Sequence, residues 1–162
     1  CYHCKNTLFR QILRAAENNG FPVLLDGTNA SDDAGDRPGM RALRELSVRS
    51  PLRECGLTKA EIRRLSKEAG LFTWDKPAYA CLATRIRTGE EITLQKLKQT
   101  EKAEGFLFGL GFRDFRVRMV GNTAKLELRE ADLPLLLENR EKIVTELRKD
   151  YDSVLLNLEV RK

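Results

Sequence analysis

The chain has 162 residues, which is enough for one ordinary domain or two small ones, and 41% of them are hydrophobic. Its apolar runs are too short to span a bilayer, and no signal-peptide pattern is present at the start. Four cysteines in a charged composition favour a cytoplasmic protein. The net charge of +5 comes from residues 1–89, which hold 15 Lys and Arg against 10 Asp and Glu, whereas residues 90–162 hold 14 of each. This excess indicates an anionic small ligand or nucleic acid, and a solvated basic face is the alternative.

The first part of the chain alternates helical and short extended patterns. Apolar periodicity and glycine stops predict helices over 5–19, 38–46 and 58–69, and extended segments over 21–26 and 48–52. The last helix begins with a capping box formed by Thr58 and Glu61. Because ligands of parallel α/β sheets lie beyond the carboxyl ends of the strands, the polar loop over 27–33 is a candidate ligand site.

The pattern changes after Gly89. Helices are predicted over 93–110 and 132–149, and alternating strands over 115–120, 124–128 and 153–160, with Gly121 and Asn122 as a two-residue hairpin turn. We therefore expect two domains, residues 1–89 of α/β type with a parallel sheet and residues 90–162 as a smaller α+β unit. Two strands are too few for a parallel sheet covered on both faces, so we expect the chain to be a piece of a longer protein.

The cysteines are the first candidate site. Cys1 and Cys4 form a CxxC pair, which suits redox exchange, zinc or iron–sulfur ligation, and Cys81 adds a third thiol. Three thiolates leave one iron of a [4Fe–4S] cluster open. Positive charge at Lys76 and Arg85 favours the thiolate form of Cys81, although simple packing is the alternative. The remaining cysteine, Cys55, is predicted to pack in the interior.

The hairpin is the second candidate site. With Gly121 and Asn122 as the turn, Arg116 faces Glu127 and Arg118 faces Lys125. For the first pair, an ordinary surface salt bridge is the alternative to a binding role. The second opposes like charges, which is destabilising unless an anion such as phosphate or carboxylate lies between them. Glu104 lies on the edge of the apolar stripe of its helix, where it either faces a site or is solvated.

Seven motifs in order resemble the LarE family: DGTNASD (26–32), RPG (37–39), SPL (50–52), LTKAEIR (57–63), DKP (75–77), ACLATR (80–85) and RVR (116–118). LarE proteins are ATP-dependent sulfur transferases of the PP-loop, adenine-nucleotide alpha-hydrolase-like superfamily. The resemblance implies a partial Rossmann-like PP-loop (HUP) domain followed by the smaller α+β domain. It also implies thiolation of pyridinium-3,5-biscarboxylic acid mononucleotide on the way to the nickel-pincer nucleotide. The Ser-Gly-Gly-x-Asp-Ser loop that grips phosphate in the family is absent, so we expect this chain as given not to activate ATP.

The resemblance also implies roles for particular residues. Cys81 would be catalytic, either as the sulfur donor itself or, together with Cys1 and Cys4, as a ligand of a [4Fe–4S] cluster that holds an external sulfide. Mg²⁺-ATP would be the nucleotide, bordered by Gly27, Thr28 and Asn29. The small anionic mononucleotide substrate would be bound by a set of five residues: Thr84, Arg85, Glu104, Arg116 and Arg118. A homo-oligomer is expected, and a membrane partner is not.

Two other functions compete with this interpretation. A PP-loop enzyme that thiolates tRNA would bind RNA with steep salt dependence, but no RNA-binding module is visible, which makes a nucleic-acid partner the weaker prediction. A non-catalytic module held by the CxxC pair would contain zinc and would not respond to mononucleotide.

Overall fold

The computed structural model describes residues 2–32 and 38–160, which form a mixed α/β protein with two compact units. Unit 1 is Cys1–Lys76 and unit 2 is Pro77–Lys162. The segment between Pro77 and Gly89 belongs to unit 2, because its side chains and carbonyls bind α-helical and strand residues that follow it. The two domains predicted with a boundary near Gly89 stay a prediction. Within the described ranges, no helix combines the length and the apolar character needed to cross a membrane.

Unit 1 contains four helices in its described residues: α1 (Tyr2–Asn18), α2 (Pro38–Glu45), α3 (Pro51–Glu54) and α4 (Lys59–Glu68). Helices α1 and α2 pack together, with the Tyr2 hydroxyl donating a hydrogen bond to Glu45. The side chain of Lys5 lies across Gly39, where an added Cβ would come within 2.9 Å of Lys5 Cδ. Gly39 therefore leaves room for the Lys5 side chain between the two helices.

The parallel pairing expected in unit 1 is present as one bridge, between Leu25 and Arg49. The Arg49 amide donates to Leu24 O, and the Asp26 amide donates to Arg49 O, both at 2.9 Å. The second segment then turns into α3, because Pro51 is tolerated in the first turn of a helix and cannot donate to a strand ladder. The mixed α/β class is confirmed, whereas the Rossmann-like PP-loop domain stays a prediction.

The capping box of α4 is confirmed. Thr58 Oγ1 accepts a hydrogen bond from the Glu61 amide at 3.3 Å, and the Glu61 carboxylate accepts one from the Thr58 amide at 2.8 Å. Two donors that the helix itself leaves unpaired are thereby satisfied.

Unit 2 begins with a 3₁₀ turn (Leu82–Arg85) and helix α5 (Leu94–Gly109). Strands β1 (Arg116–Val120) and β2 (Thr123–Glu127) form the predicted hairpin, with Arg116 opposite Glu127 and Arg118 opposite Lys125. After a second 3₁₀ turn (Glu130–Asp132) come helices α6 (Leu133–Glu138) and α7 (Arg140–Leu147) and strand β3 (Ser153–Leu156), which pairs parallel with β2.

One long helix was expected over 132–149, and the structure divides it at Asn139. The Asn139 side chain donates to Leu135 O at 3.0 Å, and its backbone leaves the helical region with φ −101° and ψ 10°. Asn side chains compete for backbone partners in this way and therefore weaken helix interiors.

The hydrophobic core lies in unit 2, between α5, the sheet and α7. Its most buried members are Leu107, Phe112, Phe115, Val117, Ala124, Leu128 and Ile143. This core fixes α5 against β1, and the residues around Cys81 bind to that pair of elements.

Candidate active site around Cys81

Cys81 lies at the end of an extended segment, immediately before the 3₁₀ turn of unit 2, and its side chain is an exposed free thiol. The turn is closed by Thr84, whose amide and hydroxyl both donate to Cys81 O, at 3.0 and 2.7 Å. The thiol is therefore accessible, and the backbone that carries it is held by the residues that follow.

Arg85 is the residue that fixes this turn. Its side chain is completely buried. Its Nη1 donates to Ala80 O at 3.1 Å, to Cys81 O at 3.4 Å and to Thr84 Oγ1 at 3.0 Å. The other side of the guanidinium binds Glu104, from Nε to Oε1 at 2.7 Å and from Nη2 to Oε2 at 3.0 Å. The guanidinium thus links the Cys81 segment to helix α5.

Glu104 is also completely buried, so the solvated alternative left open by the sequence is wrong. Besides Arg85, its Oε1 accepts the Val117 amide at 3.0 Å. One carboxylate therefore joins α5, β1 and the turn. A buried charge requires such partners, because desolvation without them costs several kcal/mol.

Tyr79 was not among the residues predicted from the sequence. Its ring packs against Arg85 and Arg116. The ring centroid is 5.1 Å from Arg85 Cζ and 5.8 Å from Arg116 Cζ. Burial and a hydrogen bond to Glu104 raise the pKa of Tyr79 to about 12. An aromatic residue two positions before a candidate thiol was the available signal, but its partner Arg116 lies far along the chain.

Arg116 is buried beside this tyrosine. Its guanidinium donates to Phe115 O at 2.6 Å and to Ala78 O, and Asp114 Oδ1 lies 3.9 Å away. The structure does not show the alternative of a surface salt bridge with Glu127, because the Arg116 side chain turns towards the segment before Cys81 and Glu127 pairs with Arg118. The hairpin register is nevertheless the predicted one.

Glu127 instead pairs with Arg118, from Nε to Oε1 at 2.7 Å. Arg118 also donates to Thr84 O at 2.7 Å, so it contacts the turn that carries Cys81. A carboxylate therefore does neutralise Arg118 next to Lys125, but it is supplied by a diagonal neighbour of the hairpin, and a bound ligand anion at this pair stays a prediction. The side chain of Arg118 is still 42% exposed. The structure thus brings together all five predicted substrate-binding residues, of which Thr84 and Arg118 are accessible.

The loop predicted to border a nucleotide lies in unit 1. Thr28 donates from its hydroxyl to Asp26 Oδ2 and Ser50 donates to Asp26 Oδ1, both at 2.6 Å. Burial acts to raise the pKa of Asp26, but the hydrogen bonds from Ser50 and Thr28 outweigh it, and the pKa is lowered. Gly27, Thr28 and Asp26 line a cavity of about 560 Å³, together with Lys5 and the first turn of α2.

Most backbone donors of this loop already have partners inside the protein. The amide of Thr28 donates to Asp26, that of Asn29 to Asp32, and that of Ala30 to Leu57. The loop therefore differs from a phosphate-binding loop, whose amides point at the ligand.

The CxxC pair is only partly described. Cys4 lies in α1 as an exposed free thiol, whereas Cys1 lies outside the described residues. Over residues 2–32 and 38–160, no three side chains of the types Cys, His, Asp and Glu are grouped to hold a metal ion. The cluster formed by Cys1, Cys4 and Cys81 stays a prediction. Cys55 is exposed just after α3, so the prediction that it packs in the interior is wrong.

The chain has similar proteins in distant organisms. An uncharacterised protein of Synechocystis is 42% identical over 128 residues, which cover 79% of this chain and 48% of the relative. An uncharacterised protein of Methanocaldococcus jannaschii is 35% identical over 162 residues, covering 99% of the chain and 63% of the relative. No family model matches the chain.

A third relative carries a functional name. It is the pyridinium-3,5-bisthiocarboxylic acid mononucleotide synthase of Lactiplantibacillus plantarum. The two proteins are 33% identical over 147 residues, which cover 91% of this chain and 53% of the synthase. This similarity supports the resemblance to the LarE family. The chain spans 48% to 63% of the length of these three relatives.

Proposed function

We propose that this chain is part of a sulfurtransferase that thiolates a carboxylate of pyridinium-3,5-biscarboxylic acid mononucleotide during nickel-pincer nucleotide biosynthesis. The observation that carries the proposal is the similarity to the named synthase over 91% of the chain. The exposed Cys81 thiol, on a turn held by a buried arginine and carboxylate, supplies a site suited to that chemistry.

The reaction has two steps. ATP first adenylates the substrate carboxylate, which releases pyrophosphate and converts a carboxylate oxygen into the bridge of an acyl adenylate. An external sulfide that attacks the acyl carbon gives the thiocarboxylate directly, and AMP leaves with the bridging oxygen. The Cys81 thiolate instead displaces AMP to give a thioester; a base then removes the Cα proton of Cys81 and the Cβ–S bond breaks, which releases the thiocarboxylate and leaves dehydroalanine. Activation is needed because oxide is a poor leaving group, whereas AMP is a good one. The sulfur comes from Cys81 itself, which would become dehydroalanine, or from an external sulfide.

In the second case Cys1, Cys4 and Cys81 would hold a [4Fe–4S] cluster, which would supply an open iron for the sulfide. Cys4 and Cys81, the two of these cysteines that the structure describes, fit as thiolate ligands of a cluster because both are exposed and free of disulfides. In either case the role of the protein at Cys81 is to present one thiol at a fixed place.

The five predicted substrate residues divide by accessibility. Arg118 and Thr84 are exposed and adjacent, so we assign them to the phosphate or carboxylate of the mononucleotide. Arg85, Glu104 and Arg116 are buried and bound to protein atoms, so we assign them to the support of the turn beneath the substrate. A guanidinium with free donors suits planar anions, and Arg118 retains part of its surface for one.

Gly27, Thr28 and Asn29 would border the ATP. Because the amides of Thr28 and Asn29 already bind carboxylates within the loop, we assign this edge to the base or ribose, and the phosphates to another part of the protein. The ionised Asp26 in the same cavity also disfavours a phosphate there.

The test is Cys81→Ala in the full-length protein, with Cys55→Ala as the matched control because both thiols are exposed. With ATP and the mononucleotide, Cys81→Ala should form no thiocarboxylate but should still release pyrophosphate. Cys55→Ala should do both. Loss of pyrophosphate release together with thiolation would contradict the role of Cys81.

Anaerobic purification distinguishes the sulfur sources and the competing functions. Iron and sulfide, with broad absorbance near about 400 nm, would support the cluster. A colourless protein in which Cys81 loses the mass of hydrogen sulfide and becomes dehydroalanine would support the sacrificial thiol. Bound zinc without a response to mononucleotide would indicate a metal-binding module, and salt-dependent binding of tRNA would indicate a tRNA-thiolating enzyme.

A further inference from the structure

Tyr79 lies in the middle of the segment that leads to Cys81, and its ring covers the two arginines that hold this segment. Its centroid is 5.1 Å from Arg85 Cζ and 5.8 Å from Arg116 Cζ. Arg116 binds the carbonyl of the residue before Tyr79, and Arg85 binds the carbonyl of the residue after it. The ring and the backbone of one short segment therefore contact the same two cations.

The same side chain is tied to the core of unit 2. Its ring lies 5.7 Å from that of Phe108, which lies 4.8 Å from the fully buried ring of Phe115. Burial and the Glu104 carboxylate raise the pKa of its hydroxyl, and the same carboxylate binds Arg85. The tyrosine itself is 47% exposed, but the two guanidinium groups under its ring belong to side chains that are only 0% and 8% exposed, and cation–π contacts are stronger when the cation is desolvated.

The segment from Pro77 to Cys81 has no helical or strand hydrogen bonds of its own. Its conformation must therefore be set by side-chain contacts. Cys81 itself is exposed and contributes its carbonyl, so the place of its thiol depends on what holds the backbone before and after it. The residues after Cys81 are held by the 3₁₀ turn, and the residues before it by the arginines that Tyr79 covers.

We propose that Tyr79 is a positioning residue, which locks both arginines onto the segment and thereby fixes the point from which the Cys81 thiol acts. The inference rests on the proposed function only in assigning the sulfur chemistry to Cys81. The locking of the segment can be measured separately from any activity.

The first measurement is amide hydrogen exchange of residues 78–86 in Tyr79→Phe and Tyr79→Leu. The first variant removes the hydroxyl and keeps the ring, and the second removes both. Exchange of the Thr84 and Ile86 amides, which are bonded within the turn, should rise about threefold or more in Tyr79→Phe and further in Tyr79→Leu. Exchange in β1 and β2 should not change. If Tyr79→Leu does not fold, the exchange rates of Tyr79→Phe alone test whether Tyr79 holds the segment.

Unit 1 offers a matched control. The Tyr2 hydroxyl also donates to a carboxylate, that of Glu45, and its ring also carries a guanidinium, with Arg41 Cζ 5.0 Å from the centroid. Tyr2→Phe should leave exchange over 78–86 at the wild-type rate. Unchanged exchange over 78–86 in both Tyr79 variants, or an equal rise across β1 and β2, would overturn the inference.

The second measurement is sulfur transfer by the full-length protein. Tyr79→Leu should lower the rate of thiocarboxylate formation at least about tenfold and leave pyrophosphate release unchanged, because a displaced thiol slows only the second step. Tyr79→Phe, which keeps the ring, should recover part of that rate. Faster exchange without slower sulfur transfer would overturn the positioning role. An unmodified protein that transfers no sulfur would instead refute the proposed function and leave the exchange result standing.

Discussion

Removing the carboxylate of Glu104 should destabilise unit 2 more than any other single ion-pair substitution proposed for this chain. Glu104→Leu leaves the Arg85 guanidinium buried without its bidentate partner, and both side chains have no exposed surface. It also leaves the Val117 amide without an acceptor. Breaking a buried ion pair costs about 3–5 kcal/mol. That is a large share of the roughly 5–15 kcal/mol by which folded proteins are stable.

The pair of Arg118 and Glu127 supplies the control, since its geometry is similar but the side chains are 42% and 13% exposed. Solvent screening limits such pairs to roughly 0.2–1 kcal/mol, so Glu127→Leu should cost far less. The double variant with Arg85→Leu and Glu104→Leu should be more stable than Glu104→Leu alone, because no charge is then left unpaired.

The assay is urea denaturation followed by circular dichroism. Trp74, the only tryptophan of the chain, belongs to unit 1, so its fluorescence monitors that unit separately. If Glu104→Leu and Glu127→Leu lowered the free energy of unfolding by similar amounts, burial would not be what makes the Arg85–Glu104 pair important. A double variant less stable than Glu104→Leu would show that the guanidinium is not the source of the cost.

Three further outcomes are expected. Asp26→Asn should lower the melting temperature at pH 7, and the difference from wild type should shrink as the pH falls below about 4. The pKa of Asp26 is lowered in the folded protein, so ionised Asp26 stabilises the fold at pH values above its pKa in the unfolded chain, and this stability is lost when Asp26 is protonated. A difference in melting temperature that does not change with pH would contradict this. Arg118→Ala should weaken mononucleotide binding by about 1.5–3 kcal/mol, as measured by calorimetry. Lys125→Ala on the facing strand should not weaken it. Equal losses of binding free energy would show that Arg118 acts only through its general positive charge. Thr58→Ala should reduce the free energy of unfolding of unit 1 by about 1 kcal/mol, followed by Trp74 fluorescence, and an unchanged midpoint would show that the α4 cap adds nothing measurable.

Much of the local structure was predictable from short-range patterns. The cap of α4, the hairpin turn at Gly121 and the register of β1 on β2 all follow from residues within a few positions of one another. The break at Asn139 was missed because apolar periodicity continues through it, while the side chain competes for the backbone.

The candidate site was predictable as a set of residues but not as a set of roles. The motifs around Cys81 and the strand with Arg116 and Arg118 were both identified from the chain. Cross-strand spacing paired Glu127 with Arg116, whereas the folded protein pairs it with Arg118. Long side chains reach diagonal neighbours as well as direct ones, so spacing alone cannot choose between them.

Neighbours along the chain were enough to predict most of the helices and strands, the hairpin register and a thiol close in sequence to lysine and arginine, because these depend on short-range contacts. The burial of Arg85 against Glu104, 19 residues further on, and the packing of Tyr79 on Arg85 and Arg116 became apparent from the folded protein. Burial decides these roles, because an exposed arginine can take a ligand, whereas a buried one must be neutralised by the protein around it.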